Sequence, residues 1–191
     1  FDPTNQYSVP FSWGTTGIAI NRSLFKGEIK GWKDLFASNE AKGKFSLLDD
    51  VRETLGAALK SNGYSLNSVD EKEVAAAKKV LMTAREHVRA YTSETKPGLV
   101  SGDLPIAHAY SCDALQARAK TKGAVDYIIP EEGCTRWVDT VVIPKGAKAK
   151  REAHLLINYL ISAKVGAERA KMLFSAPSNV KSLELMSAEL R

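Results

Sequence analysis

The chain has 191 residues, enough for one domain or for one lobe of a protein with part of another. Its hydrophobic fraction of 44% and charged fraction of 26% are ordinary for a folded protein, and no run of about 20 apolar residues is present to span a membrane. The net charge is +5, and its densest basic run, Lys145 to Arg151, indicates a solvated turn before a helix. No nucleic-acid-binding pattern accompanies that run, so we expect no nucleic-acid partner.

Strand and helix signals alternate along the chain, which predicts an α/β fold. Short apolar runs bounded by polar or turn residues predict strands over 16–20, 45–48, 104–110, 125–129 and 137–143. Apolar residues at helical spacing predict helices over 32–36, 50–59, 69–88, 113–120, 154–161 and 165–174, and a last short helix near Leu183. Asp70 is the expected N-cap of the long third helix, with Glu73 three residues on.

The first candidate site follows the strand predicted over 45–48. Asp50 and Glu53 lie three residues apart, so both side chains can face one side of the first helical turn. The same spacing suits a helix cap, with acidic residues near the positive end of the helix dipole. Spacing alone favours capping, and a ligand-binding role requires another acidic or aromatic group that converges from elsewhere.

Two further junctions combine aromatic and acidic residues. Trp137 and Asp139 alternate on a predicted strand and so face the same side, where an indole ring and a carboxylate together suit an ammonium group. A core tryptophan with an aspartate at the strand edge is the alternative. Tyr110 ends a strand at its carboxyl end, where open α/β sheets place ligands. Ser111 is the expected N-cap of the next helix, with Asp113 in its first turn.

No catalytic site is predicted. His87, His108 and His154 have no metal-binding or catalytic spacing around them, and no nucleophile elbow, phosphate-binding loop or dinucleotide fingerprint occurs. We therefore expect no metal and no cofactor, and binding is favoured over catalysis. Cys112 and Cys134 match no zinc motif, and they are either two thiols or one disulfide bond, which an exported protein permits.

Several segments, in this order and spacing, resemble the periplasmic spermidine/putrescine-binding proteins of bacterial ABC importers. The segments that carry the resemblance are residues 1–3, 7–10, 13–21, 32–36, 42–44, 47–53, 63–68, 110–114, 129–133, 137–139 and 157–160. The resemblance extends from the first residue to about Asn179.

The resemblance implies a type II periplasmic-binding-protein fold, in which two hinged lobes close on a polyamine. It implies a second ligand-binding lobe over 10–130, a hinge return with part of the first lobe over 131–179, and a tail over 180–191. Family proteins are longer at both ends, so this chain corresponds to one complete lobe plus part of another, and we expect self-association through the incomplete lobe. The implied location is periplasmic or otherwise extracytoplasmic, and the implied partner is an ABC membrane permease.

The resemblance also assigns ligand contacts by position. It implies an acidic contact at Glu53, with Asp50 near it, and an aromatic wall at Tyr110. The other implied contacts are Asp113, Trp137, Asp139 and Ser93. The implied function is capture of spermidine or putrescine without turnover.

Two alternatives to polyamine capture stay open. One is a related protein for a different small solute, because this chain has Ser175 where relatives often carry a tyrosine against the ligand. The other is a lobe that acts as an interaction module. Cys112 and Cys134 flank implied site residues, which makes a disulfide bond between them a hypothesis.

Overall fold

A computed structural model describes residues 2–188 of the chain. The strands are β1 Val9–Asn21, β2 Phe45–Leu47, β3 Val88–Tyr91, β4 Ile106–Tyr110, β5 Val125–Ile128, β6 Thr135–Val141 and β7 Ala176–Pro177. The helices are α1 Trp32–Ala37, α2 Val51–Ser61, α3 Glu71–Ala84, α4 Thr95–Ser101, α5 Ser111–Lys120, α6 Lys150–Leu160, α7 Ala163–Leu173 and α8 Lys181–Glu184. The chain divides into a larger unit, Thr15–Thr135, and a smaller unit, Phe1–Gly14 with Arg136–Arg191.

The sheet of the larger unit has the strand order β3-β2-β4-β1-β5. β2 pairs in parallel with β3 and with β4, whereas β1 is antiparallel to β4 and β5, with Thr16 opposite Tyr110. Because β2, β3 and β4 are parallel, their carboxyl ends meet at one edge of the sheet. The helices that follow these strands, α2, α4 and α5, all begin at that edge, which positions the candidate site.

The two faces of this sheet differ in the size of their side chains, because neighbouring residues of a strand point to opposite faces. Ile18, Ile20 and Ile106 belong to a buried cluster that includes residues of α1, α2 and α3. Ala19 and Ala107 belong to a second cluster with residues of α4 and α5. Small residues on the second face let α4 and α5 pack closely against the sheet and against each other.

The smaller unit contains β6 and β7, both paired with β1, and helices α6, α7 and α8. Met186 packs with Ala167 and Ala170 in its buried cluster. The segment from residue 180 onward, implied to be a tail, packs through α8 against α7, and Ser182 is fully buried. The lobe limits of 10–130 and 131–179 stay predictions. None of the helices within residues 2–188 has both the length and the apolar character to cross a membrane.

The alternation of strands and helices that the sequence predicts is confirmed, but the short strand β7 and the region between α3 and β4 were not predicted. The helix predicted over 69–88 ends at Ala84, and the chain continues through a 3-10 turn into β3. Pairing of β3 with β2 outweighs the local helical pattern, since strand formation depends on cross-strand partners. α4 was also not predicted, because Pro97 and Gly98 are poor helix formers.

The N-cap predicted for α3 is confirmed. The carboxylate Oδ1 atom of Asp70 accepts hydrogen bonds from the backbone N–H groups of Lys72 at 2.8 Å and Glu73 at 3.2 Å. These bonds satisfy donors that the first turn of a helix leaves unpaired, so a local sequence signal was sufficient to locate this helix start.

Candidate functional site

The first turn of α2 carries the first candidate pair at the carboxyl end of β2. Asp50 is the N-cap, and its Oδ1 atom accepts a hydrogen bond from the Glu53 backbone N–H at 2.9 Å. The capping role predicted from the spacing is therefore confirmed. Because a carboxylate has two oxygen atoms and several acceptor positions, capping leaves Asp50 able to contact a cation as well.

The Glu53 side chain is buried, with only 8% of the residue exposed, which is unusual for a glutamate. Burial raises the pKa of its carboxyl group, and the nearby hydroxyl groups of Thr135 and Thr16 hold that pKa down in part. Its Oε2 atom has no hydrogen-bond partner of normal geometry among residues 2–188. Burying a carboxylate oxygen without a hydrogen-bond partner destabilises the folded protein, so a cation that reached Glu53 would offset this desolvation.

Tyr110 stands at the end of β4, beside three of the candidate carboxylates. The pKa of its phenol is raised by burial and, in addition, by the negative charges of Asp50, Glu53 and Asp113. The parallel strands β2 and β4 thus bring these four predicted residues to one edge of the larger unit. Their arrangement supplies negative charge next to an aromatic ring, the combination that binds organic cations.

Asp113 lies in the first turn of α5 and is half-buried. Burial raises the pKa of its carboxyl group, the positive charge of Lys96 lowers it, and the negative charge of Glu94 raises it. The Lys96 ammonium nitrogen donates a hydrogen bond to Oε1 of Gln116 at 3.0 Å. The positive charge of Lys96 therefore influences this candidate ligand contact, while the lysine's hydrogen bond goes to Gln116.

Ser93 is exposed in the short segment between β3 and α4. The backbone N–H of Thr92 donates a hydrogen bond to the Leu47 carbonyl at 2.9 Å, which holds this segment at the end of β2. Ser93 accordingly lies at the same sheet edge as the acidic residues. Its contact with a ligand stays a prediction.

The N-cap predicted for α5 was wrong. Tyr110 occupies the N-cap position and Ser111 is the first helical residue. The Ser111 Oγ atom instead accepts a hydrogen bond from the Thr15 backbone N–H at 3.2 Å, and the Thr15 hydroxyl is 2.9 Å from the Tyr127 hydroxyl. Ser111 therefore ties α5 to β1, a role that depends on a residue far away in the sequence.

Cys112 and Cys134 are thiols in the structure, and a disulfide bond between them stays a prediction. Thr15 and Thr16 are consecutive in β1, so their N–H groups point to opposite sides of the strand. The Thr15 N–H reaches Ser111, which precedes Cys112, and the Thr16 N–H bonds to the Cys134 sulfur. Burial also raises the pKa of Cys134, which disfavours the reactive thiolate.

The smaller unit carries the second predicted pair on β6. Trp137 is half-buried and Asp139 is exposed, on the same side of the strand. The Asp139 Oδ2 atom accepts a hydrogen bond from the Ser12 hydroxyl at 3.0 Å. The Arg169 guanidinium stacks 3.7 Å from the centre of the Phe11 ring, and its pKa is lowered by burial and raised by the charge of Asp139. Asp139 therefore has both a hydrogen-bond donor and a positive charge of the protein near it.

An apolar groove of about 420 Å³ also lies in the smaller unit. Its lining residues are Pro10, Trp13, Arg136, Val138, Ala176, Pro177, Ser178, Val180 and Leu183. Val138 points to the face of β6 opposite Trp137 and Asp139, so the groove does not include the predicted pair. It also lacks carboxylates, which excludes it as the predicted cation site.

His108 is fully buried within β4 and packs edge-on against Trp32, with 4.9 Å between ring centres. Burial lowers its pKa to about 3, so the imidazole is neutral at physiological pH. No group of three or more histidine, cysteine or acidic residues in the described part of the chain is arranged to hold a metal ion. His108 is therefore part of the core beneath the site.

Sequence reasoning missed several residues of this site. Thr16 and Thr135 lie beside Glu53, and Lys96 and Glu94 lie beside Asp113. The pairing of Thr16 with Tyr110 could have been inferred only from the order of the strands in the sheet. For Lys96 the sequence carried no signal, because α4 itself was not predicted.

Comparison with known proteins gives consistent results. The family of bacterial extracellular solute-binding proteins matches residues 1–190. The spermidine/putrescine-binding periplasmic protein of Escherichia coli (strain K12) is 33% identical over 192 residues, which cover 100% of this chain and 55% of that protein. The putrescine/cadaverine-binding protein of Pseudomonas aeruginosa is 30% identical over 203 residues, which cover 100% of this chain and 57% of that protein.

A solved structure supports the same assignment. The spermidine/putrescine ABC transporter substrate-binding protein from Streptococcus pneumoniae matches with a TM-score of 0.86 at 30% identity, covering 99% of this chain and 58% of that one. This chain spans about 55% of the length of the Escherichia coli relative. The predicted resemblance and α/β fold class are confirmed. The chain belongs to the family of bacterial extracellular solute-binding proteins.

Proposed function

We propose that this protein captures polyamines outside the cytoplasm for an ABC importer, by binding without catalytic turnover. The names of its relatives specify spermidine, putrescine and cadaverine as their ligands. The observation that carries the proposal is the buried Glu53 carboxylate, whose Oε2 atom has no partner within residues 2–188. An ammonium group supplies both the positive charge and the hydrogen bonds that this oxygen lacks.

The surroundings of Glu53 suit an amine on a hydrocarbon chain. Asp50 adds negative charge, and Tyr110 offers a ring face to a cation or to methylene groups. The buried position excludes water, which strengthens a charge-assisted hydrogen bond relative to one at the surface. In the smaller unit, Trp137 and Asp139 also combine a ring and a carboxylate on one side of β6.

Titration calorimetry of the folded protein with putrescine and with spermidine tests the proposal. We expect saturable binding of one ligand per chain that weakens as salt is added, because the contacts are charged. The matched control ligand is 1,4-butanediol, which has the same four-carbon chain and no charge, and it should give no measurable binding. Absence of binding by every diamine and triamine to the folded protein would refute polyamine capture.

A different small solute is the competing ligand class. Ser175, where the resemblance implies a tyrosine in related proteins, is buried after α7 and offers no ring to a ligand. The same calorimetry with monoamines and amino acids separates the two classes. Tighter binding of one of these than of any polyamine would favour the competing class.

The proposal includes two protein partners, a membrane permease and a second copy of this chain. Self-association is supported by large apolar side chains exposed on the smaller unit. These are Tyr7, Leu155, Leu156, Tyr159, Met172 and Val180. Analytical ultracentrifugation tests it, since a purely monomeric protein at all concentrations would contradict self-association.

A further inference from the structure

A hydrogen bond within the smaller unit holds one oxygen of the Asp139 carboxylate. The Ser12 hydroxyl donates to Asp139 Oδ2 at 3.0 Å, and Ser12 itself is buried, with 4% of the residue exposed. A buried hydroxyl that loses its acceptor destabilises a folded protein, which favours this bond over a Ser12 hydroxyl without a partner. Asp139 is exposed, so a ligand can still reach the carboxylate that Ser12 holds.

The Ser12 hydroxyl is a neutral donor, so it holds the Asp139 carboxylate without cancelling its charge. A lysine or arginine in the same place would bring a positive charge into competition with a ligand amine. A carboxylate that is already fixed in one orientation loses less conformational freedom when an amine binds, which improves affinity. Ser12 is therefore suited to prepare Asp139 for a cation.

Arg169 of α7 holds the residue that precedes Ser12 in β1. Its Nη2 atom donates a hydrogen bond to the Phe11 carbonyl, and its guanidinium carbon lies 3.7 Å from the centre of the Phe11 ring. Its Nε and Nη1 atoms are buried without a hydrogen-bond partner within residues 2–188. The contacts with Phe11 therefore account for the placement of the guanidinium group.

The same part of β1 is also paired with β7. Ser12 lies opposite Pro177 and Trp13 opposite Ala176 in antiparallel register. Phe11 and Ser12 are neighbours in the strand, so their side chains point to opposite faces. A displacement of Phe11 would move the Ser12 hydroxyl as well, because a planar peptide bond joins the two residues. Arg169 thus restrains the donor that Asp139 uses.

We propose that Ser12 is a positioning residue for polyamine binding, whose hydroxyl orients the Asp139 carboxylate toward a ligand amine. Arg169 acts on the same carboxylate indirectly, by fixing Phe11 and hence Ser12. The proposed polyamine function is the premise of both roles. All these residues belong to the smaller unit, so the arrangement does not depend on the residues around Glu53.

Titration calorimetry of the full chain with putrescine tests this role. Ser12→Ala removes the hydroxyl with little change in volume, and its putrescine affinity should fall about threefold to tenfold, the range for immobilising one side chain. Ser162→Ala is the matched control, because the Ser162 hydroxyl donates a hydrogen bond in the same unit, to the Tyr159 carbonyl at 2.7 Å. The control should leave putrescine affinity unchanged.

Two further comparisons separate positioning from a general loss of structure. In an Asp139→Ala background, Ser12→Ala should have no further effect on affinity, because no carboxylate is left to orient. Arg169→Lys keeps the positive charge and loses the planar group that stacks on Phe11. It should weaken putrescine binding when Ser12 is present and have no effect in Ser12→Ala. If Ser12→Ala does not fold by circular dichroism, Ser12→Cys, with its weak donor, replaces it.

Full putrescine affinity in folded Ser12→Ala would overturn the positioning role, and a loss of stability alone would make the hydrogen bond purely structural. A rise in affinity would also overturn it, because the hydroxyl would then compete with the ligand for Asp139. Full affinity in Asp139→Ala would remove Asp139 as a contact and Ser12 with it. In all three cases wild-type binding of putrescine would leave polyamine capture intact, whereas a wild type that binds no polyamine would refute both proposals.

Discussion

Glu53 in the larger unit and Asp139 in the smaller unit are both candidate contacts for an amine, yet their environments are opposite. Glu53 is buried and has an oxygen atom without a hydrogen-bond partner in the described chain. Asp139 is exposed, accepts a hydrogen bond from Ser12 and has the Arg169 charge near it. Binding a cation should stabilise Glu53 more than Asp139, because no hydrogen bond or charge yet compensates for the desolvation of the unpaired Glu53 oxygen.

The same contrast extends to the cores of the two units. The larger unit buries its large apolar residues between the sheet and two sets of helices. The smaller unit leaves long apolar side chains of α6 and α7 exposed, including Leu155, Leu156 and Met172. A unit with a filled core can hold a buried charge in place, since neighbouring packing fixes its position. We therefore expect the larger unit to determine both stability and ligand specificity.

The largest expected effect comes from a matched pair of leucine substitutions. Leu47→Ala removes a fully buried side chain from β2 and should lower the free energy of unfolding by about 2–5 kcal/mol. Leu156→Ala truncates a residue that is 57% exposed in α6 and should change it by no more than about 0.5 kcal/mol. Urea unfolding measures both. Equal losses of unfolding free energy in the two variants would show that Leu156 is buried in solution. The difference in core packing between the two units would then be refuted.

The second effect concerns affinity. Glu53→Gln and Asp139→Asn each remove one negative charge with little change in shape, and each should weaken polyamine binding by about 1–3 kcal/mol. The loss should be greater for Glu53, because its bond to an amine forms away from water. Calorimetry with putrescine measures the two losses. Unchanged affinity in both variants would refute the site, and a greater loss at Asp139 would reverse the comparison.

The part of this fold that the sequence predicted rests on local signals. The Asp50 and Asp70 caps and most strand and helix positions follow from residue type and spacing within a few residues. β3 was missed because its formation depends on β2, more than forty residues earlier in the chain. Ser111 was misassigned because its hydroxyl bonds to Thr15 across the sheet rather than to its own helix.

The candidate site likewise has a part that could be predicted from sequence and a part that could not. Acidic and aromatic residues at strand ends were recognisable as types that bind cations, so Glu53 and Tyr110 could be named from sequence. Whether their charges are paired depends on residues that only the sheet brings near, such as Thr16 and Lys96. Burial and partner charges are properties of the folded chain, and no short pattern encodes them.

A third prediction separates capping from ligand binding at Asp50. Asp50→Ala removes the acceptor for the Glu53 N–H and should lower the free energy of unfolding by about 1 kcal/mol. Asp50→Asn keeps a capping side chain and should leave stability nearly unchanged while weakening putrescine binding through the lost charge. Thermal unfolding and calorimetry together measure the two roles. Full putrescine affinity in Asp50→Asn would leave Asp50 as a cap alone.

The smallest expected effect is a change in the dependence of stability on pH. Burial raises the folded-state pKa of Glu53 above its ordinary value of 4.5, so the folded chain keeps this proton after the unfolded chain has lost it. The contribution of the Glu53 proton to the free energy of unfolding is therefore fully present below pH 4.5. It is lost as pH rises through the raised pKa of the folded state. Glu53→Gln removes this titration, so its free energy of unfolding should fall less than that of the wild type over this range.

Asp126 provides a control of opposite sign for that measurement. Partial burial raises the pKa of Asp126, but hydrogen bonds and charge from Arg118 and Arg22 outweigh it and lower the pKa overall. Its contribution is present above the unfolded pKa and is lost as pH falls, so Asp126→Asn should alter the acid side of the profile instead. Urea unfolding at pH 3 to 8 distinguishes the two variants. A Glu53→Gln profile parallel to the wild type throughout would mean that the Glu53 carboxyl is solvated in the folded protein, and the contrast with Asp139 would then be lost.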